Sequence, residues 1–108
     1  MKEIDEKQSC TIKLEHKDGR TNQDITPNKV YYRMDDLRSG SNIIPETEVA
    51  SITGHEVYVE IPSVKNIIED PDTNDLEEKT ISIRSEFLGG KVGTLEYHYR
   101  VRKMTYYH

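Results

Sequence analysis

The sequence is poor in cysteine, in aromatic residues other than tyrosine and in long apolar runs. It has no tryptophan, one phenylalanine and one cysteine, Cys10. A single thiol excludes an internal disulfide, so we expect a reducing compartment, by default the cytoplasm. No apolar run approaches the roughly 20 residues that span a bilayer, and the charged N-terminus does not resemble a secretory signal. We therefore expect no membrane contact.

Motifs for catalysis and for metal or nucleotide binding are also missing. The segment 89–93 (GGKVG) lacks the spacing of a phosphate-binding loop and precedes a predicted strand, not a helix. From Asp70 the chain begins like an EF-hand, but Asp75 and Ile81 stand where glycine and glutamate are required. The histidines show no ligand spacing. We therefore predict that the protein is not an enzyme and uses no metal or cofactor.

The residues that are present favour β-structure. The chain has 108 residues, the length of one domain, with 33% apolar and 32% charged residues and a net charge of −5. Ile (11), Val (7), Thr (9) and Tyr (7) are abundant, whereas Leu (5) and Ala (1) are scarce. β-branched and aromatic side chains favour strands, and Leu and Ala favour helices. We predict a mainly β fold, or α+β, as a small antiparallel barrel or sandwich of about five strands with at most one or two short helices.

Alternating apolar and polar residues locate the strands at 9–16, 29–34, 56–61, 80–87 and 94–103. Asp18-Gly19 predicts a hairpin turn after the first strand, and the glycine-rich segment 88–93 a hairpin between the last two. Residues 45–53 fit a short helix or a short strand, the helix being preferred, and Ser63 fits the cap of one helical turn. The expected division is a flexible N-terminus at 1–8, one β-rich domain at 9–104 and a tail at 105–108.

Acidic residues are concentrated in one predicted loop, 69–78. Carboxylates on a loop steer a basic partner over long range, and exposed tyrosines are residue types that interfaces favour. Outward positions on the predicted strands are assigned to Tyr31 and Tyr58, while Tyr106 and Tyr107 fall in the tail. The predicted protein-binding residues are Glu69, Asp70, Asp72, Asp75, Glu77, Glu78, Tyr31 and Tyr58.

The last strand carries the opposite charge. His98, Arg100 and Arg102 alternate onto one face and Lys103 follows them, a pattern that nucleic-acid-binding grooves use. The competing interpretation is neutralisation by carboxylates across the sheet, with Glu56 and Glu60 as expected neighbours. The opposite face, with Tyr97 and Tyr99, fits the core.

Three functions follow as hypotheses. The first is a non-enzymatic protein-interaction module that binds a basic partner surface, of the kind found among small acidic regulators and inhibitors of phages and mobile elements. The second is a small nucleic-acid-binding β-barrel that uses the basic strand. The third is a structural subunit of a viral or cellular assembly that pairs through edge strands. The sequence does not specify an oligomeric state.

Overall fold

A computed structural model describes residues 1–104 and arranges them in two β-sheets. The elements are β1 (Lys2–Asp5), β2 (Cys10–Glu15), β3 (Lys29–Asp36), β4 (Asn42–Glu48), β5 (Glu56–Ile61), a 3-10 turn (Ser63–Lys65), β6 (Leu76–Glu86) and β7 (Val92–Arg102). The large sheet has the order β1-β7-β6-β3-β4, and the small sheet pairs β2 with β5. The mainly β prediction is confirmed, and in the described part of the chain neither sheet closes into a barrel. Within residues 1–104, no helix has the length and apolar character needed to cross a membrane.

The core lies between the two sheets. On β2 and β5 the inward side chains alternate as predicted, and Cys10 is buried opposite Ile61. The inner face of the large sheet contributes Val30, Met34, Ile81, Ile83, Tyr99 and Val101. Each fully buried aliphatic side chain of this kind contributes about 1.5–3 kcal/mol to folding. The predicted hairpin between the last two strands is present as the β6–β7 pair, which spans all eleven residues of each strand.

A buried polar contact joins the N-terminal segment to β7. The Tyr99 hydroxyl donates to Oδ1 of Asn66, and Nδ2 of Asn66 donates to the carbonyl of Gln8 at 2.7 Å. Both Tyr99 and Asn66 are fully buried, and burial raises the pKa of Tyr99 above its ordinary value. These bonds connect the turn after β1 to the centre of the core.

The N-terminal segment, which we predict to be flexible, contains a strand that the sequence pattern does not indicate. Residues 2–5 form β1, which pairs in parallel with the end of β7. Ile4 is buried opposite Val101, and Asp5 forms an ion pair with Arg102 at 2.8 Å. One apolar anchor surrounded by charged residues is too weak a pattern to predict a strand from sequence.

The segment around Pro45 differs from both sequence interpretations. It is neither a helix at 45–53 nor a strand that starts at Glu48, because β4 spans Asn42–Glu48. Ile44 is buried against the core and aligns with Met34 of β3. β4 is an edge strand, and proline is tolerated on an edge because it withdraws a donor only from the solvent side.

The turn at Asp18-Gly19 does not form the expected hairpin. β2 pairs with β5 and not with the next strand, and the turn instead closes a small loop at the Lys17–Asp24 bridge. The Asp18 carboxylate accepts the backbone N–H groups of Arg20 and Thr21 at 2.8 and 3.2 Å. Such local acceptance by an aspartate is the ordinary reason for its preference in turns.

Candidate functional site

A buried ion network lies at the end of the large sheet where β3 ends and β6 begins. Lys79 is fully buried and aligns with Asp36 of β3. Its Nζ donates to Asp36 Oδ1 at 3.0 Å and to Glu77 Oε1 at 3.0 Å. One cation is therefore shared by two carboxylates that are themselves more than 90% buried. Buried charges are tolerated only when they are paired and hydrogen-bonded, and all three are.

Glu77 holds the acidic loop of residues 69–75 from beneath. Its carboxylate accepts the backbone N–H groups of Glu69 at 2.6 Å and Asp70 at 3.0 Å, and the Asn74 side chain at 2.9 Å. Burial alone would raise the pKa of Glu77, but these donors and Lys79 outweigh it and lower the pKa to about 2. The carboxylate is therefore ionised at neutral pH and fixes the start of the loop.

Asp36 holds a second loop, residues 37–41, in the same manner. Its carboxylate accepts the backbone N–H of Ser39 at 2.8 Å and the Ser39 hydroxyl at 2.9 Å. Burial would raise the pKa of Asp36, but the Ser39 and Lys79 donors outweigh burial and lower it. The network thus fixes two loops through one buried lysine.

The two loops meet above the network and enclose a cleft. The Ser41 hydroxyl donates to the Glu69 carboxylate at 2.8 Å, and Arg38 approaches the Asn74 side chain at 3.4 Å. Between them lies a cavity of about 470 Å³, which we call the acidic cleft, lined by Asp36, Arg38, Ser39, Glu69, Asp70, Thr73, Asn74 and Glu77. Its lining carries four carboxylates and one guanidinium.

The predicted acidic residues do not form one surface. Glu69, Asp70, Asp72 and Asp75 are exposed on the loop, and Glu77 is buried beneath it. Glu78 is on the other face of β6, where it pairs with Arg100. β6 begins at Leu76, within the predicted loop. The sequence does not indicate this start, because charged side chains occupy the inward positions 77 and 79 and no apolar alternation is visible there.

The two tyrosines lie away from the acidic cleft and from each other. Tyr31 is on the outer face of the large sheet, where the Arg84 guanidinium stacks 4.4 Å from its ring centroid. Tyr58 is on the outer face of the small sheet and is 52% exposed. Tyr106 and Tyr107 lie outside the described residues.

The basic residues of β7 face carboxylates, in agreement with the neutralisation interpretation. These carboxylates are not the predicted Glu56 and Glu60. β7 lies between β6 and β1 and does not pair with β5, so Glu56 and Glu60 are not its neighbours. The observed contacts are Arg100 with Glu78 at 3.4 Å, Arg102 with Asp5 at 2.8 Å and His98 with Glu96 at 3.5 Å.

Lys103 contributes to the acidic loop and not to a basic face. Its Nζ donates to the carbonyl of Pro71 at 2.8 Å, and its backbone N–H donates to the carbonyl of Asp75 at 2.8 Å. Glu77 therefore holds the start of the acidic loop, at Glu69 and Asp70, and Lys103 holds its middle and its end, at Pro71 and Asp75.

Sequence patterns do not identify the residues beneath the cleft. Asp36 and Ser39 fall in a polar stretch that predicts a loop, and Lys79 falls between the acidic loop and the next predicted strand. The one local signal is weak: a lysine at an inward position, between Glu77 and Ile81, in a strand of otherwise clear alternation. Only the β3–β6 pairing shows that Asp36 lies opposite it.

A serine–histidine contact joins the two sheets elsewhere. His16 Nδ1 donates to the carbonyl of His55 at 3.0 Å, and Nε2 is hydrogen-bonded to the Ser85 hydroxyl at 2.8 Å. Ser85 is only 5% exposed. A substrate therefore has little access to its hydroxyl, and the pair serves to fix the end of β2 on β6.

Comparison with known proteins adds no further constraint on this cleft. No family model matches the chain, and no curated protein and no solved structure shows significant similarity to it.

Proposed function

We propose that the chain is a non-enzymatic protein-interaction module that binds a basic surface of a partner protein through the acidic cleft. In this role it acts as a regulator or inhibitor by occupying that surface. The observation that supports the proposal is the buried Lys79 network, which holds the two loops of the cleft from one point. A lysine or arginine side chain of the partner is the occupant that the lining favours.

A buried ion network centred on Lys79 lies beneath both loops of the cleft. Such networks add little net stability, because desolvation offsets most of the attraction between the charges. We assign this one to fixing loop conformation, since Glu77 and Asp36 use their remaining acceptor sites for loop N–H groups and for Ser39 and Asn74. Loops held in a fixed geometry lose less conformational entropy on binding, which raises affinity.

The charge of the cleft supports a basic partner. Asp72 and Asp75 are exposed beside the lining carboxylates and extend the negative surface along the loop. Carboxylates in this arrangement accelerate association with a cationic surface and disfavour acidic ones. The nucleic-acid alternative has weaker support, because the β7 cations already face carboxylates.

A peptide selection tests this proposal and does not require the partner to be identified first. A random peptide display library is selected on the wild-type protein, and the enriched peptides are measured by calorimetry. We expect peptides rich in lysine or arginine, with affinity at least about tenfold weaker, or 1.4 kcal/mol, for a variant with E69Q, D70N, D72N and D75N. All four side chains are exposed, so the variant keeps the buried network.

A second variant with the same charge change serves as the control. E3Q, E48Q, E60Q and E96Q remove four exposed carboxylates outside the cleft, and we expect affinity within about twofold of wild type. Equal losses in the two variants would show a general effect of net charge and would refute the cleft as the site. Binding to a thymidine oligonucleotide that R100Q and R102Q abolish would instead support the nucleic-acid alternative.

A further inference from the structure

In the described part of the chain, the first seven residues of β7 have a neighbouring strand on one side only. β1 pairs only with residues 99–102 of β7, so within residues 1–104 no strand pairs with the outer edge of residues 92–98. This open edge belongs to a long, regular strand. An unpaired strand edge is a template for another strand, and natural proteins usually block it.

The backbone of the open edge points its hydrogen-bonding groups outward at alternate residues. The Phe87 N–H donates to the Lys91 carbonyl, which places the odd-numbered residues of β7 in hydrogen-bonded pairs with β6. Val92, Thr94 and Glu96 therefore direct their N–H and C=O groups away from the sheet. At the far end of the strand the same parity is visible, because the Arg102 carbonyl accepts the Glu6 N–H.

Apolar side chains lie next to the open edge of β7. Leu95 occupies an inward position on β7 but is 51% exposed. It lines a cavity of about 290 Å³ together with Leu14 of β2 and Ile83 of β6. Within residues 1–104, β2 pairs only with β5, and Leu14 places the unpaired edge of β2 on the same side of the molecule as the open edge of β7.

We propose that a second copy of this chain occupies the open edge, by antiparallel pairing of β7 with β7 about a two-fold axis at Leu95. In this register Leu95 faces the partner's Leu95, and Thr94 faces the partner's Glu96. The register buries both leucines and places no like charges opposite each other, the two conditions that stabilise cross-strand pairs. Pairing in this manner is isologous and closes at two copies.

The other edge strands of the large sheet, β1 and β4, are less suited to pairing with another strand than the open edge of β7. β4 contains Pro45 and register irregularities opposite β3, and β1 has only four residues, so neither presents a continuous row of donors. Pairing of β7 with a different edge of the large sheet of another copy, which would produce fibres, is thereby disfavoured. The open edge of β7 is the regular one, and it is complementary to itself.

Charge on the small sheet fits the same symmetry. Lys13 and Glu15 are both on the outer face of β2 and contact each other at 3.3 Å. Leu14 between them lines a cavity with Leu95, so a two-fold axis at Leu95 brings the β2 strands of the two copies toward each other. Antiparallel alignment about Leu14 places Lys13 opposite the partner's Glu15, and the reverse pair follows by symmetry. Opposite charges in directly facing positions stabilise cross-strand pairs.

Sedimentation equilibrium over a concentration series tests the proposal. We expect the wild-type protein to sediment as a dimer at high concentration and the L95K variant to remain a monomer under the same conditions. V64K is the matched control, because Val64 is 70% exposed on the 3-10 turn, and it should dimerise as wild type does. A monomeric wild type, or an L95K variant that dimerises equally, would overturn the proposal and leave a foreign strand as the occupant.

A disulfide test fixes the register. Leu95 lies at a non-hydrogen-bonded pair, where facing Cα atoms are about 4.5 Å apart, within the range of a disulfide. We expect L95C to form a covalent dimer on mild oxidation, whereas V92C, about 20 Å from its counterpart in this register, forms little. Cys10 does not interfere, because it is 3% exposed and burial raises the pKa of its thiol. Equal crosslinking of V92C and L95C would contradict the register.

Discussion

Replacing Lys79 with methionine is expected to lower the free energy of unfolding by about 3–5 kcal/mol. The substitution keeps most of the side-chain volume but removes the cation between Asp36 and Glu77, and leaves two buried carboxylates without their counter-charge. Urea denaturation, followed by circular dichroism, measures the change. In a small domain this loss is a large fraction of the total stability.

Two comparisons separate the network from the loss of a lysine in general. K65M removes an exposed lysine at the end of the 3-10 turn and should change stability by less than about 0.5 kcal/mol. Adding D36N and E77Q to K79M removes the uncompensated charges and should recover part of the loss. If K79M and K65M unfold at the same urea concentration, the buried network does not have the role we assign to it.

Stability is expected to fall by about 3 kcal/mol between pH 5 and pH 2 because of Glu77 alone. Its pKa is lowered from 4.5 to about 2, so its contribution is fully present above the unfolded-state value and is lost as pH falls through the folded-state value. The lowered pKa of Asp36 acts in the same direction. Urea denaturation at a series of pH values measures the slope.

The matched variants for this titration are E77Q and E78Q. E77Q removes the titrating group and should flatten the dependence of stability on pH below 5, with lower stability at neutral pH. E78Q changes the adjacent carboxylate, which faces the other side of the sheet, and should keep a slope close to that of wild type. A slope that E77Q leaves unaltered would mean that other carboxyl groups cause the acid sensitivity.

Most of the strands could be predicted because their inward side chains are apolar. In β5 the alternation of Val57, Val59 and Ile61 with polar residues predicts a strand with the bounds observed. β2 and β7 follow the same rule, and the glycines between β6 and β7 identify their hairpin. Where apolar and polar residues alternate with a period of two, this pattern alone is enough to predict a strand.

Elements whose stability depends on tertiary pairing could not be predicted in this way. β1 has one buried side chain, Ile4, and exists because β7 offers it an edge. β4 contains a proline, and only its position at the edge of the sheet makes this acceptable. The start of β6 has no apolar alternation because Glu77 and Lys79 occupy inward positions that are normally apolar.

The acidic cleft could be predicted only in part. The concentration of carboxylates at 69–78 identifies the loop, but sequence does not distinguish the exposed Asp70 and Asp72 from the buried Glu77. The difference arises from Asp36 and Lys79, which are 43 residues apart in sequence and meet through strand pairing. Contacts of this separation are set by the topology of the whole sheet and have no local pattern.

Dimerisation at β7 would leave the acidic cleft accessible. The cleft lies near Glu77 on β6, and the open edge is centred on Leu95, which aligns with Ile83 six residues further along β6. At about 3.3 Å per residue this places the two features roughly 20 Å apart. A dimer would therefore present two clefts, and a partner with repeated basic surfaces would gain affinity through simultaneous contact with both.

Amide hydrogen exchange at Glu69 and Asp70, measured by NMR at neutral pH, tests most directly whether the buried network fixes the cleft. Their side chains are exposed on a surface loop, and their N–H groups donate to Glu77. We expect exchange at least about tenfold slower than in an unstructured peptide, with the protection lost in K79M under conditions where β5 stays folded. Exchange at the unstructured rate in the wild-type protein would contradict a preformed cleft.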